Sequence, residues 1–354
     1  MPKKSLFEPR FANIPAEIWS KIAKTDELKG RWTGGVNLSP QILNQLKKSV
    51  LVTSTGSSTR IEGAKLTDGE IEKLMQGLKV KKLADRDTQE VQGYYELLQN
   101  VFDSWETIKL NESTVKHFHK ELLKYVEKDK RHRGDYKKTE NVVELFDRSG
   151  KSLGIVFEPT KAYLTPKEMQ ELVDWTKKAL AEKTIHPLLV IGNFIVEFLN
   201  IHPFQDGNGR LSRVMTNLLL LQAGYLYVPY VSHEKLVEDN KNDYYLALRK
   251  SQKGLSKEKE NITPWLDFFL SIFLKQSEMA IKLLESEQVE KLLSPKQLKV
   301  WLYLQQSVSE AVPSEIAKKT GVARPTVNQA LTKLLKLKKI EKIGEGRSTR
   351  YRKL

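Results

Sequence analysis

Residues 202–213 read HPFQDGNGRLSR and lie between two strongly apolar stretches, 186–199 and 210–222. Both flanks carry apolar residues at helical spacing, so the stretch is a turn leading into the start of a second helix. Gly207, Asn208 and Gly209 allow a tight backbone that exposes successive N–H groups, and such a nest at a helix N-terminus binds anions. Arg210 and Arg213 stand three apart on the following helix and share a face, where either guanidinium can grip a phosphate bidentately. Asp206 precedes the nest. A lone carboxylate beside phosphates is how Mg²⁺ is commonly held, with substrate oxygens and water completing its shell. His202 is fixed at the end of the first helix by Pro203, and a neutral imidazole near pH 7 can take a proton from a hydroxyl. Together these parts predict a site that orients a metal-bound nucleotide and activates an acceptor, mostly by positioning and charge stabilisation.

Working outward, apolar spacings of three and four predict helices over residues 89–104, 111–128 and 165–183, with Asn111 capping the second. Residues 241–251 and 263–285 read as further helices. Between residues 141–146 and 153–157 lie the polar residues 147–152, a β-hairpin pattern. Upstream, residues 38–51 read as a helix capped by Ser39 with Pro40 at its first position. The first thirty residues mix Pro, Trp and Phe and read as an irregular arm. Residues 53–67 read as a polar stretch with one helical turn around 58–62.

The chain has 354 residues, 40% apolar and 29% charged, and no cysteine. This excludes a disulfide scaffold, a thiolate nucleophile and Cys-ligated zinc. No apolar run near the N-terminus resembles a secretory signal, and no apolar run is long enough to span a bilayer; the expectation is a cytoplasmic protein with no membrane partner. His117 and His119, two apart on a helix, point apart and do not make a zinc site. Ser149-Gly-Lys-Ser152 imitates the end of a P-loop, but Leu145 stands where its first Gly should be. Of the net charge of +15, residues 294–354 carry +10, which marks a small basic module on a near-neutral body.

The string from His202 to Arg213 resembles the motif of the Fic family, H-x-F-x-[DE]-G-N-G-R-x-x-R, with every specified position filled. The resemblance extends over about residues 90–275 and implies a mainly α fold: a helical core with one β-hairpin flap. It also implies a protein adenylyltransferase, which moves AMP from ATP to a Ser, Thr or Tyr hydroxyl of a protein. By resemblance, His202 matches the general base, Asp206 the Mg²⁺ ligand, and Gly207, Asn208 and Gly209 the phosphate loop. Arg210 and Arg213 match the phosphate-contacting arginines. Doc-type relatives, which transfer a terminal phosphate, replace the second glycine of the nest, so the intact string favours AMP transfer. Tyr244 and Tyr245 lie where relatives line the nucleotide pocket with aromatics; core packing is the alternative for at least one. Ile155, Val156 and Phe157 resemble the flap strand, whose edge would pair with a target backbone; a purely structural hairpin remains the alternative.

Ser58-Thr-Arg-Ile-Glu62-Gly63 resembles the family's inhibitory motif, [ST]-x-x-x-E-[GN], in the class with an N-terminal inhibitory helix. Glu62 paired with Arg213 would occupy the guanidinium that should hold the γ-phosphate. A helix-capping turn is the other reading of so short a motif.

Residues 294–306, 313–320 and 324–338 read as three helices, followed by a strand, a Gly-Glu-Gly turn and a strand. This resembles a winged helix-turn-helix. In that geometry Arg324, Thr326, Asn328, Gln329 and Lys333 would face a major groove, and Arg347, Arg350 and Arg352 would touch phosphate from the wing. Such modules also dock proteins, so DNA is one of two partners open to it.

The expected organisation is an N-terminal region with the inhibitory helix (1–88), a catalytic domain (89–286) and a winged-helix domain (294–354). The expected partners are ATP with Mg²⁺, a target protein that includes the chain itself as a candidate, and DNA; a homodimer stays open. Two other functions remain open: a DNA-binding regulator with a ligand-sensing body, and a de-AMPylase or transferase of another nucleotide.

Overall fold

The computed structural model describes all residues except 1–6, 37, 39, 78–84, 142, 147–151, 253–260, 308, 309, 338, 345, 347, 348 and 354. The Ser39 cap and Arg347 therefore lie outside the described residues. By internal contacts the chain divides into two units, Met1–Ile281 and Lys282–Leu354.

The first unit is helical with one hairpin. Its elements are α1 (Ala16–Gly35), α2 (Pro40–Ile61), α3 (Asp68–Met75), α4 (Asp85–Ser104), α5 (Glu112–Leu122), β1 (Val143–Phe146), β2 (Ser152–Phe157), α6 (Thr165–Glu182), α7 (Pro187–Ile201), α8 (Asn208–Gln222), α9 (His233–Asp239), α10 (Lys241–Gln252) and α11 (Thr263–Leu292). The last helix runs past the end of the unit.

At its centre stands α7. From Leu188 to Leu199 every residue is buried, all of them apolar except Asn193 and Glu197, and a helix buried on all faces belongs inside a core. Each fully buried Leu or Phe there contributes about 1.5–3 kcal/mol. The helix opens with Pro187 at its first position and the His186 ring accepting the Leu188 N–H (3.2 Å). It closes on His202, whose φ of 51° is left-handed. α8 packs beside it and begins after Gly207, whose φ of 78° turns the chain back. Two buried helices thus hold the turn between them at a fixed angle.

β1 and β2 pair antiparallel, with Glu144 opposite Ile155 and Val143 opposite Phe157.

Two expectations are corrected. The described part of the first thirty residues is not an irregular arm: α1 occupies it from Ala16 onward. Ile18, Ile22, Thr25, Leu28 and Trp32 are its buried face, a spacing of three and four that the neighbouring Pro and Trp residues obscure. Nor is residue 53 onward a polar stretch with one turn, because α2 continues to Ile61 and residues 54–59 are buried. Ser, Thr and Gly are weak helix formers, but here their small side chains let α2 pack closely on its neighbours. Two of their hydroxyls are paired, Thr59 Oγ1 donating to the Thr55 carbonyl (2.9 Å) and Ser54 Oγ to Ser232 Oγ (2.8 Å), while Thr55 Oγ1 is buried without a partner among the described residues. A Cβ at Gly56 would come within 2.6 Å of Asp68 Oδ1.

The second unit contains α12 (Pro295–Gln306), α13 (Pro313–Thr320), α14 (Arg324–Lys336), β3 (Ile340–Ile343) and β4 (Arg350–Lys353). Ser294 and Gln297 form a capping box at the start of α12. β3 and β4 are antiparallel, with Ile340 opposite Lys353. Val300, Trp301, Ile316, Val327, Leu331 and Leu334 make a core of its own. Three helices and a hairpin in this order are the winged-helix arrangement expected from the sequence.

Among the described residues no helix is long and apolar enough to cross a membrane.

Candidate active site

The turn between α7 and α8 is held by its own side chains. Phe204 is fully buried and anchors it. Asn208 closes it: the carboxamide oxygen accepts the Phe204 N–H (3.0 Å) and the amide nitrogen donates to the Phe204 carbonyl (2.8 Å). The Asn208 side chain is therefore committed to the loop, leaving its backbone N–H to the nest. Gly207 donates its N–H to Asp206 Oδ1 (2.6 Å).

His202 sits half-buried at the end of α7, with Nδ1 3.4 Å from the Leu199 carbonyl. Burial pushes its pKa down to about 4, and Lys137 adds to the fall, while the Leu199 carbonyl, Glu62 and Asp206 pull the other way. The imidazole is therefore neutral at pH 7, as a proton acceptor must be. The Phe157 ring stands edge-on to it, with centroids 6.2 Å apart, so the end of β2 closes one side of the site. Ile155 lies in β2 opposite Glu144, with Val156 between it and Phe157.

Arg213 is held through two of its three nitrogens. Its Nε donates to Ser58 Oγ (2.7 Å), and Nη2 donates to the Ser58 carbonyl (2.9 Å) and to Glu62 Oε1 (2.7 Å). Only 3% of its side chain is exposed, against 34% for Glu62. Burial alone would lower the pKa of Arg213, but Glu62, Tyr244 and Tyr94 together raise it. Nη1 is buried without a partner among the described residues and lies 3.4 Å from where a Cβ of Gly209 would stand. A free donor thus faces the nest, which suits a phosphate oxygen. Glu62 occupies that ground: a Cβ on Gly209 would come within 2.2 Å of its Oε1.

Asp206 and Arg210 belong to a closed ring of four charges. Arg210 Nη1 lies 2.7 Å from Glu90 Oε2, and Arg210 Nη2 lies 3.2 Å from Asp206 Oδ2. Arg86 Nη2 lies 2.9 Å from the same Asp206 oxygen, and Arg86 Nε 2.9 Å from Glu90 Oε1. Burial raises the pKa of Asp206, yet Arg210, the Gly207 N–H and Arg86 together hold it below its ordinary value. Arg210 and Arg213 thus diverge: one is held by carboxylates at the turn, the other by α2. The described residues contain no cluster of three or more His, Cys, Asp or Glu that could enclose a metal ion. An ionised carboxylate beside a phosphate nest is nonetheless the donor set Mg²⁺ uses when phosphates supply most of its protein-side ligands, so the residues present fit that ion.

Tyr244 is buried and Tyr245 exposed, with the Tyr245 hydroxyl 3.4 Å from the Ile61 carbonyl at the end of α2. Burial raises the pKa of both phenols. Tyr244 packs edge-on against Trp265 and Tyr245.

Sequence reasoning missed several contributors. His119 braces the turn: its ring stacks on Phe204 with centroids 3.8 Å apart. Its Nδ1 accepts the Gly134 N–H (2.8 Å), so Nε2 carries the proton and donates to the Asp206 carbonyl (3.0 Å). Burial lowers its pKa to about 4. The signal was available, since Val115, His119 and Leu122 share the buried face of α5. Arg86, Glu90 and Lys137 were also missed.

In the second unit Arg324, Asn328 and Gln329 are exposed on α14 and Thr326 is half-buried. Lys333 turns its ammonium to the Leu292 carbonyl. Arg350 is exposed, and Arg352 pairs with Glu341 (2.7 Å).

Residues 109–220 match the model of the Fic/DOC family, and residues 297–354 match that of the transcriptional regulator DIP2311-like C-terminal domain. The probable protein adenylyltransferase aq_aa38 of Aquifex aeolicus (strain VF5) is 26% identical over 297 residues, covering 81% of each chain. Protein adenylyltransferase Fic of Drosophila melanogaster is 33% identical over 86 residues, which is 24% of this chain and 16% of that protein. Among solved structures, a Fic family protein from Desulfovibrio desulfuricans G20 superposes with a TM-score of 0.63 at 22% identity, over 97% of both chains. Fic-1 from C. elegans superposes at 0.61 and 17% identity, over 77% of this chain and 74% of that one.

Proposed function

We propose that this chain, which carries a Fic/DOC domain over residues 109–220, is a Mg²⁺- and ATP-dependent protein adenylyltransferase restrained by Glu62. The N–H groups of the nest and the unpartnered Nη1 of Arg213 would hold the β- and γ-phosphates. Asp206 would hold Mg²⁺, which when bound neutralises phosphate charge. His202 takes the proton from a Ser, Thr or Tyr hydroxyl of the target. The hydroxyl oxygen then bonds to the α-phosphorus, the bond to the bridging oxygen breaks, and pyrophosphate leaves. The edge of β2 would present the target backbone beside His202.

One observation carries the reading: a neutral imidazole, a phosphate nest and a buried arginine donor meet at one turn, with the Glu62 carboxylate lying across them. The test is incubation with Mg²⁺ and ATP labelled at the α-phosphate. Label enters protein with Glu62→Gly and fails to enter when His202→Ala is added. Labelling from the γ-phosphate alone would overturn the reading. Loss of AMP from an already modified protein would instead favour the reverse reaction.

A second activity is supported by the basic second unit. Residues 294–354 carry +10, and Arg324, Asn328 and Gln329 are exposed on α14. The unit would place this helix in a major groove, with Arg350 on phosphate. Binding to duplex DNA that weakens steeply with added salt supports this, and no binding at low salt refutes it.

A further inference from the structure

Lys137 is 5% exposed, and a buried ammonium needs a reason. Among the described residues no carboxylate lies within ion-pair distance of it. Leaving such a charge without a counter-ion is costly, and a methionine would fill the same space without that cost. The ammonium donates to the Ile201 carbonyl (3.0 Å) and to Asn141 Oδ1 (2.8 Å). The Lys137 backbone N–H donates to the Pro203 carbonyl (2.8 Å). Asn141 Nδ2 in turn donates to the Phe204 carbonyl (3.1 Å). Lysine and asparagine together therefore grip the backbone on both sides of His202.

The grip falls where the chain needs it. Ile201 is the last residue of α7, so its carbonyl has no partner within the helix and sits at the negative end of the dipole. His202 follows at φ 51° and ψ 59°. A non-glycine residue is strained in this region and holds it only when the surroundings impose it. The direction of the imidazole follows from the backbone on either side of it; Lys137 holds the peptide before His202 through the Ile201 carbonyl and the chain just beyond it through the Pro203 carbonyl.

We propose that Lys137 is a positioning residue for the transfer reaction, its ammonium and backbone clamping the end of α7 to the root of the flap so that His202 points at the acceptor hydroxyl. This rests on His202 being the base of the reading above. Burial lowers the Lys137 pKa to about 8, against the pull of Glu140 and Glu168, so the ammonium form still prevails at pH 7. Its charge also opposes an imidazolium at His202.

The test uses the full chain carrying Glu62→Gly, with Lys137→Met, Lys137→Arg or Asn141→Ala added. Pyrophosphate release and α-label incorporation give kcat and KM, and calorimetric titration gives ATP affinity. Lys137→Met should lower kcat about 10- to 100-fold, the scale of a misplaced catalytic group, with ATP affinity within twofold. Lys137→Arg should restore most of the rate. Asn141→Ala keeps the buried charge, should lower kcat in the same direction, and reads the same geometry if circular dichroism shows Lys137→Met unfolded. Unchanged kcat in Lys137→Met or, where that variant is unfolded, in Asn141→Ala would overturn the proposal; so would a fall in kcat matched by lost ATP affinity. An unlabelled Glu62→Gly parent that releases no pyrophosphate would instead refute the function itself.

Discussion

Replacing Glu62 by glycine tests the restraint at its smallest point. Glu62 lies one residue beyond α2, so the change leaves that helix and its buried face intact. Arg213 also keeps Ser58 Oγ and the Ser58 carbonyl as partners, so its guanidinium stays aimed. What disappears is one 2.7 Å charge-assisted bond and a carboxylate lying against the nest. Such a bond contributes about 1.5–3 kcal/mol when buried. With the Glu62 side chain 34% exposed, screening reduces this to about 1–2 kcal/mol. At about 1.4 kcal/mol per decade, affinity for Mg-ATP should rise about 5- to 30-fold. Calorimetric titration measures this directly, and α-label incorporation should rise in step. Glu62→Gln, which keeps the shape and loses the charge, should fall between the two. Equal ATP affinity in wild type and Glu62→Gly would refute the reasoning, because the contact would then hold nothing that the nucleotide needs.

Arg86→Ala removes one of the two cations on Asp206 Oδ2, the one that is 48% exposed, and leaves Arg210 in place; the lost pair is worth about 0.2–1 kcal/mol. The Mg²⁺ concentration giving half-maximal ATP binding should fall about 1.5- to 5-fold; a rise would mean that Arg86 helps to hold phosphate. The His202 pKa, pushed down to about 4 by burial, should keep kcat/KM level from pH 8 down to about 5, with the loss coming only below that. The same shift makes its stability contribution complete above the ordinary histidine value of about 6.5 and lost as pH falls toward the folded value. An acid limb centred near 6.5 would contradict both. Gly93→Ala places a methyl 2.2 Å from the Leu122 carbonyl, where α4 crosses α5. Thermal melting should show a loss of about 1–3 kcal/mol, and an unchanged melt would show that the crossing can open without strain.

The turn was legible because its chemistry is local: base, carboxylate, nest and arginines fall within twelve residues, and apolar flanks mark them as helix ends. The hairpin and the three small helices of the second unit were legible for the same reason. α1 and the second half of α2 were not. In α2 the burial of Ser, Thr and Gly comes from what packs on them, and polar composition pointed the other way. The ring around Asp206 joins residues 120 apart, and Lys137 meets a carbonyl 64 residues away. No spacing rule carries such pairs, because they exist only once α4, α5 and α7 have converged. The Glu62–Arg213 pair was legible from the two motifs, but neither foretold that Arg210 would turn to Glu90.

The buried length of α2 limits how the proposed restraint can ever be lifted. Val50, Leu51, Ser54, Ser58 and Ile61 all face the interior, and Arg60 rivets the end of the helix to Asp68 and Glu238. Withdrawing the helix bodily would demand something close to melting the unit. Release has to be a short-range event downstream of Ile61, where Gly63 takes a φ of 104° and has open space around it. Whatever wakes the enzyme needs only to swing one carboxylate about that joint, so a binder touching a few ångströms of surface would suffice.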